Sequence, residues 1–265
     1  MSAIRFEHVF KSFDEQVVLR DFSMEVQPAE TKVILGGSGS GKTTILKMVL
    51  GLVKPDSGRV FVEDQDITDL DEAELLPIRR KIGMVFQEGA LFDSLTVGEN
   101  VAYQMREDGT YREEEIEKVV RKLLGFVGLE DVIDKFTSEL SGGMRRRVGI
   151  ARALVGNPRI LLYDSPTAGL DPITGHTICE LVIRLRDLEG VSSIFVTHNL
   201  ESAMTLASEF AEVQPDGHLA FKSEGGNLCL INTRFVMLKD GTVLFEGSDE
   251  ALQEIDDEYI QEFLT

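Results

Sequence analysis

The sequence predicts an α/β fold: a parallel sheet built round a glycine-rich loop, with a β-rich start and a helical stretch in its middle. Three observations predict it. "TKVILGGSGSGKTTILKMVLGL" (31–52) passes from an apolar run through a glycine loop into a helix-like pattern. "RILLYD" (159–164) and "VSSIFVTH" (191–198) read as core strands with a helical run at 173–188 between them. That βαβ pattern favours parallel pairing. Ile116, Val119, Val120, Leu123, Leu124 and Val127 recur three and four apart, one face of an amphipathic helix.

Each element follows in order. Ile4 to Phe10 alternates with a period near two, and Val17 to Val26 adds short β-like runs, so the chain starts as an antiparallel β subdomain. Pro55 and Gly58 mark a turn before "RVFVED" (59–64). "KIGMVFQ" (81–87) is a short strand ending at a polar residue. Residues 88–157 read as an α-helical subdomain, and Thr110 with Glu113 offers a capping box for its amphipathic helix. Residues 212–233 carry Pro215, Asp216-Gly217 and Gly225-Gly226-Asn227, the marks of an inserted hairpin or loop. "RFVMLKDGTVLFEG" (234–247) is a strand, an Asp-Gly turn and a strand, and 248–265 is an acidic C-terminal helix.

Composition narrows the function classes. With 265 residues, 43% of them hydrophobic, the chain can bury one sizeable core. Its apolar stretches fall short of the ~20 residues that span a bilayer. The start, MSAIRFEHVF, lacks the basic and apolar regions of a signal peptide. A net charge of −19 argues against nucleic acid as a partner and against direct attraction to anionic lipid. The basic spots Arg79-Arg80-Lys81 and Arg145-Arg146-Arg147 read as solvated faces. Cys179 and Cys229 form no metal or redox pattern and read as buried small residues in a reduced, cytosolic setting.

The residues Gly36, Gly37, Ser38, Gly39, Ser40, Gly41, Lys42 and Thr43 match the phosphate-binding pattern G-x-x-x-x-G-K-[ST] of a P-loop NTPase core. Glycines let the backbone aim its N–H groups at phosphate oxygens. The helix opening at Lys42-Thr43-Thr44 turns its positive end to the same anion. Lys42 supplies a cation for the β- and γ-phosphates, and Thr43 a hydroxyl for Mg²⁺. "LSGGM" (140–144) precedes a second helix, "RRRVGIARALV", and makes another anion-seeking helix end. Both ends serve one nucleotide within a monomer, or two copies pair head to tail with each cradle facing the other's serine-glycine loop.

In motif order, nearly the whole chain resembles the ATP-binding cassette ATPases. Phe13 sits where that family stacks an aromatic on adenine, and Gly36–Thr43 where it has Walker A. Gln87 matches the Q-loop glutamine, Leu140-Ser141-Gly142-Gly143-Met144 the signature loop, with Met for the common Gln. Ile160–Asp164 matches Walker B, Ala168-Gly169-Leu170-Asp171 the D-loop, and His198 the switch histidine. The resemblance implies one nucleotide-binding domain, with ATP and Mg²⁺ as cofactors and Thr43, Gln87 and Asp164 serving the metal. It selects the paired arrangement, in which Ser141 and Gly143 act across a homodimer. "FQEGALFDSLTVGENVAYQMRE" (86–107), "ELSGGMRRRVGIARAL" (139–154) and "GLDPIT" (169–174) are similar, more narrowly, to Mla/Mce-type phospholipid-transport ATPases. This implies a multi-pass membrane permease received near Gly89–Phe92, a periplasmic lipid-binding (Mce-type) component, and a place on the cytoplasmic face of the bacterial inner membrane.

One position departs from the family. Ser165 stands where the family has the glutamate that polarises the attacking water. A neutral hydroxyl is no base at neutral pH. Three readings stay open: slow hydrolysis with His198 and Ser165 ordering water, an ATP-binding switch with negligible turnover, or a substitution made to trap the ATP-bound dimer.

Overall fold

Six strands form the central sheet: β3 (Thr31–Gly36), β6 (Ile82–Val85), β7 (Ile160–Asp164), β8 (Ser192–Val196), β11 (Thr233–Lys239) and β12 (Thr242–Gly247). The structure, a computed structural model, describes residues 1–223 and 232–264, so Cys229 and the Gly225-Gly226-Asn227 turn lie outside the described residues. Sheet order is β12-β11-β3-β8-β7-β6, parallel throughout except for β12, which folds back from β11 through the Asp240-Gly241 turn. Helices cover both faces, which is why the inner strands read as unbroken apolar runs. Successive side chains still part company: Val33 and Leu35 join one core cluster and Ile34 the other.

The start of the chain forms a separate antiparallel sheet, β2-β1-β4-β5. β1 spans Ile4–Phe13, β4 Ser57–Val62 and β5 Gln65–Asp66. The runs between Val17 and Val26 are one strand, β2 (Gln16–Val26), whose register with β1 shifts several times. Those shifts explain the broken alternation in the sequence. Phe6 and Phe22 meet edge to face at 5.2 Å beneath it. Sequence periodicity overlooks α2 (Glu72–Arg79), which holds Pro77 and opens with an Asp71–Glu74 capping box.

Between β6 and β7 lie α3 (Val97–Asp108), α4 (Glu113–Phe126) and α5 (Gly142–Ala153). Ile116, Val120, Leu123, Leu124 and Val127 of the amphipathic stretch are buried, and Val119 packs beside them. Its start differs from expectation. Arg112, not Thr110, is the N-cap, and the Glu115 carboxylate accepts from the Arg112 N–H at 3.0 Å. Glu113, Glu114 and Glu115 thus fill the first turn, where the helix dipole favours them. Residues 86–96 are not helical. Fully buried Asn100 on α3 holds that loop. Its Oδ1 accepts from the Phe92 N–H at 2.8 Å, and its Nδ2 donates to the carbonyls of Phe92, Leu95 and Thr96 at 3.1, 3.3 and 2.9 Å. Asn100→Ala strands these groups and is expected to cost about 2–4 kcal/mol of unfolding free energy. Urea titration checks it, and a loss under about 0.5 kcal/mol refutes the role.

Two further features frame the site. Arg146 corrects the solvated-face reading of the arginine triplet: it is only 7% exposed, its side chain turned into the protein. Gly143, Arg146 and Ile150 share one buried face of α5. After α6 (Pro172–Glu189) and α7 (Leu200–Ser208), β9 (Glu209–Val213) and β10 (Leu219–Ser223) pair as an antiparallel hairpin. Two short helices, α8 (Asp249–Glu254) and α9 (Glu258–Leu264), follow β12. Cys179 is fully buried in α6, and burial pushes its thiol up to about 12. No helix among the described residues is long and apolar enough to cross a membrane.

Candidate nucleotide site

The glycine loop is shaped by backbone that only glycine adopts freely. Gly41 has φ 101° and is the N-cap of α1 (Lys42–Val49). A Cβ there would lie 2.9 Å from Leu19 Cδ2. Gly36 has φ 152°, and a Cβ on it would fall 2.6 Å from the Leu238 carbonyl oxygen. The loop therefore leads directly into the N-terminal turn of α1, whose free N–H groups and dipole favour an anion. Lys42 Nζ folds back over it, donating to the Gly36 and Gly37 carbonyls at 2.8 and 2.6 Å and to Ser40 Oγ at 3.2 Å. Burial holds the Lys42 ammonium below the usual lysine pKa, and the Asp164 carboxylate pulls it back up.

Parallel strands deliver their carboxyl ends to one edge, where ligands of such sheets sit. Gln87 follows β6, Asp164 and Ser165 end β7, and His198 follows β8. All four line one cavity of about 680 Å³ with Ser38 to Thr44 of the loop. Phe13, Gln16 and Val18 of the antiparallel sheet add an outer wall. Phe13 is 45% exposed where it borders the cavity, with Lys11 Nζ 5.2 Å from its ring centroid. Thr43 Oγ1 donates to Asp164 Oδ2 at 3.0 Å, so two oxygens stand side by side as a hard cation requires. Ser165 is buried at φ 49°, its N–H donating to the Val196 carbonyl at 2.9 Å.

Ser141, Gly142, Gly143 and Asp171 do not line this cavity. Ser141 is exposed at the N-cap of α5, its Oγ accepting from the Met144 N–H at 3.2 Å. Gly143 is packed for another reason: a Cβ there would meet Thr174 Cγ2 at 2.2 Å. Asp171 caps α6 by accepting from the Thr174 N–H at 3.0 Å, and those hydrogen bonds hold its carboxyl below the usual range. Gly142 instead borders a recess of about 420 Å³ with Glu88, Leu91, Arg146 and Gly169.

Some residues escape the sequence. Gln16 and Val18 reach the cavity from β2. Tyr259 of α9 accepts through its hydroxyl from the Gly37 N–H at 3.1 Å, across 222 positions of chain. No local pattern announces such a contact. Arg146 had one signal, its helical spacing from Gly143 and Ile150.

The family model described as "ABC transporter" matches residues 19–168. The probable ribonucleotide transport ATP-binding protein mkl of Mycobacterium leprae is 38% identical over 77% of this chain and 59% of its own length. The sulfate/thiosulfate import ATP-binding protein CysA 2 of Agrobacterium fabrum is 40% identical over 81% of this chain and 62% of its own. The chain thus spans less than two thirds of these curated relatives. Among solved structures, the dimeric post-hydrolysis state of the ATP-binding cassette MJ0796, bound to ADP and Pi, superposes with a TM-score of 0.76 and 33% identity. That likeness covers 92% of this chain and 98% of the other. With its cradle, its paired oxygens and this match, the chain belongs to the ABC transporter family, whose cassettes bind ATP with Mg²⁺.

Proposed function

We propose that this chain is the ATP-hydrolysing subunit of a transporter that moves phospholipid, of the Mla/Mce type, through a multi-pass permease. One observation carries the nucleotide part: the cradle, Asp164, Gln87 and His198 meet in one cavity while the Ser141 end of α5 stays exposed outside it. A second copy completes the site by bringing its Ser141 and Gly143 amides to the phosphates held by the first. The dimeric state of the MJ0796 cassette supports this pairing.

The roles follow from the positions. Lys42 and amides of the glycine loop hold phosphate, and Phe13 stacks on the base. Thr43, Gln87 and Asp164 hold Mg²⁺, directly or through water; when bound it neutralises phosphate charge and polarises the phosphorus. His198 positions the attacking water near the γ-phosphate, and Ser165 orders that water without taking its proton. In this reading Asp171 acts across the pair.

Cargo rests on the stretch 86–107 and on Met144, since the relatives' names span ribonucleotide and sulfate/thiosulfate. Phe86 and Phe92 are 42% exposed in the loop that Asn100 anchors, a surface suited to an apolar permease segment. The chain would work at the cytoplasmic face of the bacterial inner membrane, peripherally. Purifying the complex from native membranes tests this. The expected companions are a permease, a lipid-binding component and bound phospholipid. A sulfate- or amino-acid-binding companion without lipid would overturn the cargo. Ser165 favours one other reading, a regulatory ATP-binding module. Pairing in Mg-ATP with no phosphate release, alone or in the assembled complex, would favour that module.

A further inference from the structure

We propose that Arg146 is a positioning residue that ties the Q-loop to the D-loop, so that movement of the helical subdomain reaches both loops at once. This rests on the ATP-hydrolysing reading above, and it adds a residue that reading does not use.

The Q-loop backbone is built onto α5. Arg152 donates through its two terminal nitrogens to the carbonyls of Ala90 and Gly89, each at 2.9 Å. Arg146 Nε donates to the Gln87 carbonyl at 2.5 Å. A Cβ on Gly149 would sit 3.2 Å from Gly89 Cα, and one on Gly89 2.8 Å from the Arg145 carbonyl. Backbone 87–90 therefore moves with α5, although the Gln87 side chain reaches the nucleotide cavity.

The second arm of Arg146 leaves that unit. Its terminal nitrogen donates to the Ala168 carbonyl. Ala168 is one tight turn from Ser165, its N–H donating to the Ser165 carbonyl at 3.2 Å. A buried guanidinium keeps its charge only where hydrogen bonds replace water. Here two main-chain carbonyls from two loops do so, and burial presses the Arg146 pKa down while Glu88 opposes it. The planar fork of arginine spans two acceptors at fixed spacing, which lysine does not. The first turn of α5 touches the same D-loop segment, with a Gly142 Cβ direction 3.7 Å from Leu170, and Gly143 lies against Thr174 in the first turn of α6 that follows it. Rotating α5 thus displaces Gln87 and the Ala168–Asp171 segment together.

Hydrogen exchange on the full chain tests this without relying on turnover. The reporters are the N–H groups of Gly89, Ala168 and Leu170, each bonded to a nearby carbonyl. In Arg146→Ala without nucleotide, protection at both 87–91 and 167–171 is expected to fall by about tenfold or more, with β3 and β7 unchanged. Arg146→Lys keeps the charge but gathers its donors on one nitrogen, and covers the case in which the alanine variant does not fold. With it, Mg-ATP is expected to protect 87–91 while 167–171 no longer follows. Loosening of one loop alone in Arg146→Ala, a uniform rise over the whole chain, or parent-like joint protection in Arg146→Lys would each overturn the proposal. Failure of the parent to bind Mg-ATP would count against the functional reading instead, because the nucleotide-free comparison stands apart from it.

Discussion

Ser165→Glu is expected to raise phosphate release by about 10²–10⁴-fold, the contribution typical of one well-placed general base. Position 165 lines the cavity beside Asp164, Gln87 and His198, so a carboxylate there would face the space in which we propose that water meets the γ-phosphate. The left-handed φ of 49° taxes serine and glutamate alike, so the exchange leaves the backbone as it is. Cradle contacts of Lys42 and Thr43 do not involve Ser165, and ATP affinity should change little. Phosphate release in single-turnover and steady-state assays measures the gain. Unchanged release would mean that Ser165 does not limit hydrolysis. A large gain would mean the parent's closed, ATP-bound pair is long-lived because it lacks a base.

Ser141→Arg is expected to abolish ATP-dependent pairing and turnover while leaving nucleotide binding to the single chain intact. Ser141 lies outside the cavity, so Lys42, Thr43 and Asp164 keep their places. Arginine removes the Oγ that accepts from the Met144 N–H, a cap worth about 1 kcal/mol, and lays a long side chain over the exposed end of α5. Donors of this kind, aimed at developing negative charge, are worth about 10²–10³ each in kcat. Ser141→Ala separates the two effects, since it loses the cap without adding bulk. Light scattering in saturating Mg-ATP reads the pairing. If Ser141→Arg pairs and turns over like the parent, each nucleotide is served within one chain and the cross-subunit arrangement is wrong.

Much of the fold was legible because its signals are local. The run 31–52 carries strand, loop and helix in contiguous residues, and the apolar spacing of Ile116 to Val127 marks a buried face. The helix start at 110–113 was misread because Thr110 and Glu113 carry capping chemistry that Arg112 and Glu115 provide instead. α2 was missed because Pro77 and a short length mask its period, while its cap at Asp71 and Glu74 was readable. Of the site, Lys42, Thr43, Gln87, Asp164 and His198 were recognisable by motif. Gln16, Val18 and Tyr259 were not, since their contacts join distant segments.

The sequence alone marked the groups that we propose meet phosphate and metal, because a cradle needs glycine, lysine and threonine at fixed spacing along one strand–loop–helix turn. It also marked Ser165 as a departure from the motif pattern that the chain resembles. Only the tertiary structure decided what Arg145-Arg146-Arg147 are for. Charge in a sequence suggests solvent, yet two carbonyls 81 positions apart close around one guanidinium and draw it inside. Only the fold, too, put Ser141 outside the cavity of its own chain, because α5 is anchored to the Q-loop rather than to the cradle.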